Sequence, residues 1–309
     1  MQRYFLLACL LVTGALFTSA ADETPTASDL AEPAPTELEV LADRIIAKIS
    51  AGQKTPAALA TELAAYDELF AKYKEKDREE AARVLFMKAM LYDSVFKDAA
   101  FAHKLFEKIK TEFPRTQAAA MADAQIAAAQ TLTRLIGKPA PELHFLWTSH
   151  TEHERIKKLS DLKGKVIVLD FWHTGCGPCV ASFPQIRELA SHYEGCDVEI
   201  IGVTSIQGAV YGLTPYRIDT PGDPKKEMSL MADYIKAKNI TWTIAFSKEN
   251  VFNADYGVIS VPSMVFIAPD GTVRHVDIHP ADPEAKKQEK IDALLEEFRL
   301  KLPAAPRKS

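Results

Sequence analysis

The stretch GKVIVLDFWHTGCGPCVASFP, residues 164–184, restricts the possible folds more than any other part of this 309-residue chain. An apolar run from Val166 to Trp172, interrupted only by Asp170, has the pattern of a central parallel strand buried on both faces. Pro178 suits the first position of a helix, because the missing N–H is one that a helix start leaves unpaired anyway. A strand over 165–172 and a helix over 178–193 therefore put Cys176 at the helix N-terminus and Cys179 inside its first turn. Unpaired backbone N–H groups and the positive end of the helix dipole favour a thiolate at Cys176, with Cys179 more buried. Such a pair is built as an attacking and a resolving thiol. A zinc or iron–sulfur site would need a second CxxC or a His pair at ligand spacing, which the sequence lacks. A purely structural disulfide across two residues would close almost no loop and stabilise little.

Residues 1–20 have Arg3, an apolar core from Tyr4 to about Phe17 and small residues at Thr18 and Ala20, the pattern of a signal peptide. The core is shorter than the roughly 20 residues that span a bilayer, so a retained anchor is the weaker reading. "LLAC" at Cys9 loosely resembles a lipidation box but has too little core ahead of it. Cleavage after Ala20 leaves 36 Lys and Arg against 42 Asp and Glu, a net charge of −6, which argues against nucleic acid as a partner. It also leaves three cysteines, at 176, 179 and 196, too few for a disulfide-stapled scaffold. Residues 21–36, acidic and rich in Pro, Ala, Ser and Thr, have little to bury and are expected to be a disordered leader.

From 37 to 136 Ala, Leu, Glu, Lys and Gln dominate and apolar residues recur at helical spacing, predicting five helices near 37–50, 56–74, 78–95, 98–112 and 117–136. Thr55-Pro56 is a start signal and Phe113-Pro114 a stop. Phe101, Leu105, Phe106, Ile109 and Phe113 form one apolar stripe. Followed by a proline and an Ala-rich helix, that stripe resembles a tetratricopeptide-type hairpin, although a plain helical bundle is the simpler reading. "IGKPAPEL", 136–143, ends the helical part, and strands and helices then alternate over a second domain, 137–302, with a tail at 303–309. Strands are expected at 143–147, 165–172, 197–204, 241–246, 263–268 and 272–278, and helices at 178–193, 228–238, 250–256 and 284–301. The PDG turn at 269–271 makes the last two strands antiparallel, so the sheet is mixed.

The segments GKPAPEL, LSDLKGKVIVLDFW, CGPC and VPSMVFIAPDG, in that order and closed by a helix, resemble the thioredoxin superfamily. More narrowly they resemble the exported TlpA and ResA type of thiol-disulfide oxidoreductase, over about 137–302. The resemblance implies an α/β thioredoxin-like fold, a mixed central sheet flanked by helices, preceded here by an all-α helical domain. It implies catalytic roles for Cys176, Cys179, Asp170 and Pro262, the last as a cis-proline facing the cysteines, and substrate contacts at Trp172, Gly177, Pro178 and Val261. It implies no cofactor beyond the redox disulfide, protein disulfides as substrates and an extracytoplasmic or membrane electron donor. The chain departs from the type in three places. Ser182 stands where a glutamate is usual, three residues after the second cysteine, and Asp170 takes the place of thioredoxin's buried aspartate. Gly175 replaces the tryptophan common before the first cysteine, which suggests a more open rim. A peroxiredoxin is disfavoured because Thr174 lies two residues before Cys176 rather than three, and copper-delivery relatives use a wider cysteine spacing with a distant histidine.

Other residues are read more plainly. Cys196 lies beyond a helix some 20 Å long, out of disulfide reach, and is a bystander thiol. His275, Asp277 and His279 alternate with Val276 and Ile278 and read as the solvated face of an edge strand rather than as a metal site. His173 reads as a rim residue without a catalytic role. The connection 206–227 is long enough to be functional, with Tyr211, Tyr216 and Arg217 as possible partner contacts, although plain surface insertion is the simpler reading. The functional expectation is an exported oxidoreductase that reduces protein disulfides. The alternative is an interaction protein whose helical part binds a peptide or protein partner while the redox domain serves as a docking unit.

Overall fold

The computed structural model describes residues 35–149 and 156–303, so the expected signal segment and most of the leader and tail lie outside the described residues. Contacts divide the chain after Ile126 into two compact units, a division that falls inside the fifth helix.

In the first unit α1 (Glu37–Ser50) starts at a capping box, in which the Thr36 backbone N–H donates to the Glu39 carboxylate and Thr36 Oγ1 accepts from the Glu39 N–H. Then come α2 (Ala60–Tyr73), α3 (Arg78–Ser94), α4 (Ala99–Glu112) and the start of α5 (Gln117–Leu135). α3 is buried on most of its surface: Ala82, Phe86 and Ala89 pack with Phe106, Ile109 and Phe113, while Val84, Met87 and Leu91 pack with Ile45, Leu59 and Tyr66. Small alanines on α3 and α5 let the helices approach, and burial of each large side chain contributes about 1.5–3 kcal/mol. α2 begins later than expected. Thr55 Oγ1 accepts from the Ala58 N–H and closes a preliminary turn, and regular helix starts only at Ala60.

The second unit is built on a six-stranded sheet of order β1-β6-β3-β2-β7-β8. The strands are β1 (Phe145–Thr148), β2 (Val166–Phe171), β3 (Val198–Thr204), β6 (Thr243–Ser247), β7 (Ser263–Ile267) and β8 (Val273–Ile278). β2 pairs in parallel with β3 and β3 with β6, whereas β1, β7 and β8 join antiparallel, so the sheet is mixed as the PDG turn requires. Alternation along β2 sends Ile167, Leu169 and Phe171 to one face and Val168, Asp170 and Trp172 to the other, the face that holds both cysteines.

Several expected elements are corrected. The single helix 178–193 is two, α6 (Gly177–Ala181) and α7 (Phe183–His192), because Pro184 has no N–H to continue the ladder. Helix α8 (Pro224–Ala237) starts four residues earlier than expected, where Asp223 Oδ1 accepts from the Lys226 N–H and Pro224 supplies a helical φ. The helix expected at 250–256 is only a 3-10 turn, Ala254–Tyr256, ended by Gly257 at φ +66°. A Cβ there would also lie 2.9 Å from Leu132 Cγ, so only glycine lets this turn approach the end of α5. The closing helix, α9 (Lys287–Glu297), is shorter than 284–301. In β8 a bulge near Asp277, at φ +52°, breaks the alternation. Ile278 therefore packs in the core on the cysteine side and Val276 against the opposite one, rather than both on one face.

Candidate active site

Cys176 is the N-cap residue of α6, with extended backbone, and is joined to Cys179 by a disulfide with Cα atoms 5.3 Å apart. The Cys179 N–H donates to Cys176 Sγ at 3.1 Å. α6 is barely more than one turn long, so this direct N–H, rather than the dipole of a long helix, supports negative charge on Cys176. Cys176 is 7% exposed and Cys179 1%, the order expected for an attacker and a resolver. Gly177 lies open beside them and Pro178 is half-buried. Among the described residues no group of three His, Cys, Asp or Glu side chains is arranged to hold a metal ion.

The loop before β7 reaches the same spot. The Val261–Pro262 peptide is cis, and the Val261 carbonyl oxygen lies 3.6 Å from Cys176 Sγ. The oxidised sulfur has no proton to donate; in the reduced thiol this contact becomes a weak S–H···O hydrogen bond. The expected substrate contact at Trp172 is corrected. Its ring is wholly buried, stacked on Tyr234 with centroids 5.7 Å apart and edge-on to Phe183, so it supports the cysteines from beneath and cannot touch a docked molecule.

Asp170 is 1% exposed, and neither carboxylate oxygen has a hydrogen-bond partner. Burial pushes its pKa well above the ordinary aspartate value, because no neighbour compensates the lost hydration of the charged form. Ser182, by contrast, is committed: its hydroxyl donates to the Pro178 carbonyl at 2.9 Å. His173 Nδ1 accepts from the Gly175 N–H at 3.2 Å, and burial lowers its pKa, so the neutral ring braces the turn that delivers Cys176.

Gly175 is exposed, but the position its side chain would take is bordered by another residue. A Cβ there would lie 3.1 Å from the ring of Tyr211, which the connection 206–227 brings beside it. That connection is largely exposed and carries regular structure of its own. It forms a small antiparallel ribbon of β4 (Ala209–Val210) and β5 (Ile218–Asp219). Its base is clamped by the buried carboxylate of Glu227, which accepts from the Gln207 and Gly208 N–H groups and from Thr220 Oγ1. Sequence reasoning missed Glu227; the Asp223-Pro224 start followed by a glutamate in the first turn was the available signal. Cys196 is a half-buried free thiol after α7.

The chain is similar to the thiol-disulfide oxidoreductase ResA of Oceanobacillus iheyensis, 27% identical over 142 residues, covering 46% of this chain and 64% of that one. It is likewise similar to ResA of Geobacillus kaustophilus, 30% identical over 142 residues, covering 46% of this chain and 68% of that one. It thus spans about two thirds of the length of these curated relatives. Among solved structures, a candidate thiol-disulfide oxidoreductase from Bacteroides vulgatus is 25% identical with a TM-score of 0.39, covering 52% of this chain and 97% of that one. The Redoxin family model matches residues 135–295, more than half of the chain, and that span contains the strand, both cysteines and the proline loop. By that match the chain belongs to the Redoxin family, within the thioredoxin superfamily.

Proposed function

We propose that this protein is a thiol-disulfide oxidoreductase that reduces protein disulfides through the Cys176–Cys179 couple. The observation that carries the reading is the disulfide at a helix start, with an N–H aimed at the outer sulfur and a carbonyl of a second loop beside it. In the reduced protein the Cys176 thiolate attacks a substrate disulfide and expels one substrate thiolate, which takes up a proton. Cys179 then loses its proton, attacks Cys176 Sγ in the mixed disulfide and expels the second thiolate. Two electrons pass to the substrate, the proton of Cys179, handed on from Asp170, and one from solvent end on its two thiolates, and the Cys176–Cys179 disulfide is left behind. Asp170 accepts the proton of Cys179; its raised pKa brings it toward the thiol range. The backbone at Val261 and Pro262 pairs with an extended substrate segment as an added strand, and Gly177 and Pro178 border that segment.

A Gly-Pro dipeptide between the cysteines has no cationic side chain to hold a strongly stabilised thiolate, which favours a reductant over an oxidant. The pattern of residues 1–20 supports export, and a protein reductant outside the cytoplasm needs an electron donor there. No helix among the described residues is long and apolar enough to cross a membrane.

Full-length protein with Cys179→Ser should accumulate a mixed disulfide between Cys176 and its substrate, and Cys176→Ser should neither trap nor turn over. Capture through Cys196, or turnover surviving in Cys176→Ser, would overturn the reading.

A further inference from the structure

Four of the large apolar side chains left exposed among the described residues are Tyr211, Tyr216, Phe252 and Ile259, with relative exposures of 39, 83, 45 and 37%. Three of them are tied to the disulfide by short links. The Tyr211 N–H donates to Thr174 Oγ1 at 3.2 Å, and its ring stands beside Gly175, the neighbour of Cys176. Phe252 meets the His173 ring edge-on at 6.0 Å, and His173 braces the Gly175 N–H. Ile259 lies two residues before Val261, whose carbonyl touches Cys176 Sγ. Aromatic rings therefore stand at two points of the turn that carries the outer cysteine, Phe252 at His173 and Tyr211 at Gly175.

Tyr211 is also held in place. On its ribbon Arg217 pairs with Asp219 at 2.9 Å, and the base of that ribbon is clamped by Glu227. A fixed, partly exposed aromatic ring loses little conformational freedom when it is covered, which is why such residues dominate recognition surfaces. A cysteine that bonds Cys176 Sγ brings its flanking residues close to the sulfur's neighbours, Gly175 in the chain and the Val261 carbonyl 3.6 Å away.

We propose that Tyr211, presented by the ribbon 209–219 beside Gly175, is a specificity-determining residue that selects extended substrate segments with apolar or aromatic residues flanking the reactive cysteine. Tyr211 meets the flanking side chain as Cys176 forms the mixed disulfide, with Phe252 a further apolar contact beside His173. The inference rests on the oxidoreductase reading above.

The test uses full-length reduced protein and disulfide-linked dimers of two short peptides that are identical except for Phe-Cys-Phe or Ala-Cys-Ala at their centre. Wild type should prefer the Phe peptide. In Tyr211→Ala the ratio of kcat/KM values, Phe peptide over Ala peptide, should fall about tenfold, mainly through KM. Tyr211→Phe, which keeps the ring, should retain the ratio. An unchanged ratio in Tyr211→Ala, or an equal loss on both peptides, would overturn the role of Tyr211 while leaving the redox reading intact. Reduction of neither peptide by wild type would instead overturn the oxidoreductase reading, and this inference with it.

Discussion

The two faces of the central sheet obey different rules. On the face away from the cysteines, Leu143, Ile167, Leu169, Phe171, Val203, Val265 and Val273 close an apolar core. A buried hydroxyl within it, that of Tyr256, donates to the Pro141 carbonyl. On the cysteine face the core includes Trp172, Tyr234 and Trp242, and the Trp172 and Trp242 Nε1 atoms and the Tyr234 hydroxyl are buried without partners, as are both oxygens of Asp170. Unpaired buried polar atoms cost stability, and packing alone would replace them. Their confinement to one side of a sheet whose strands serve both sides marks where stability has been given up for chemistry.

The largest expected effect lies on the quiet face. Phe171 is fully buried against Tyr256, with ring centroids 5.3 Å apart, and Phe171→Ala should cost about 3–5 kcal/mol in urea unfolding. A loss below about 1 kcal/mol would mean that this face is not the tightly packed one, and the contrast would break.

Asp170→Asn should act in the opposite sense on stability and slow the chemistry. Resolution of the mixed disulfide should slow on the order of 10²-fold near neutral pH, with a changed pH profile. The sign of the stability change follows from linkage. A carboxyl whose folded-state pKa is raised imposes no ionisation penalty below its unfolded value of about 3.8, and the penalty grows as pH rises toward the folded pKa. The variant should therefore gain more stability over wild type at pH 8 than at pH 4. Single-turnover rates from pH 6 to 9 that overlay wild type would remove Asp170 from the mechanism.

Gly202→Ala sharpens the contrast at smaller amplitude. Gly202 stands opposite Asp170 on β3, and its Cβ would lie 2.6 Å from Ile244 Cδ1, 2.8 Å from Trp172 Nε1 and 3.1 Å from Trp242 Nε1. Crowding should cost about 1–3 kcal/mol in thermal or urea unfolding. Unchanged stability would show that the two indoles yield, and that the polar face is the loosely packed one.

Much of the site was legible along the chain because its parts are local. The apolar run predicts β2, Pro178 predicts the helix start, and together they place Cys176 outside and Cys179 within. The helix break at Ser182 was also written in the sequence, at Pro184. The contact that the resemblance implied for Trp172 could not be judged along the chain, because only the stacking on Tyr234 reveals which way the ring turned.

What the sequence determined by itself is therefore the periodicity and punctuation of each element: a two-sided buried strand, capped and proline-started helices, a PDG hairpin, and two cysteines one helical turn apart. These depend on residues within a few positions of one another, where sterics and backbone hydrogen bonding act directly. The tertiary structure alone decided that Tyr211 comes beside Gly175, that Glu227 turns back to clamp the base of the ribbon 209–219, and that Asp170 has no partner. Each of these depends on which distant side chains arrive at one point, and on whether their polar atoms find anything there to pair with.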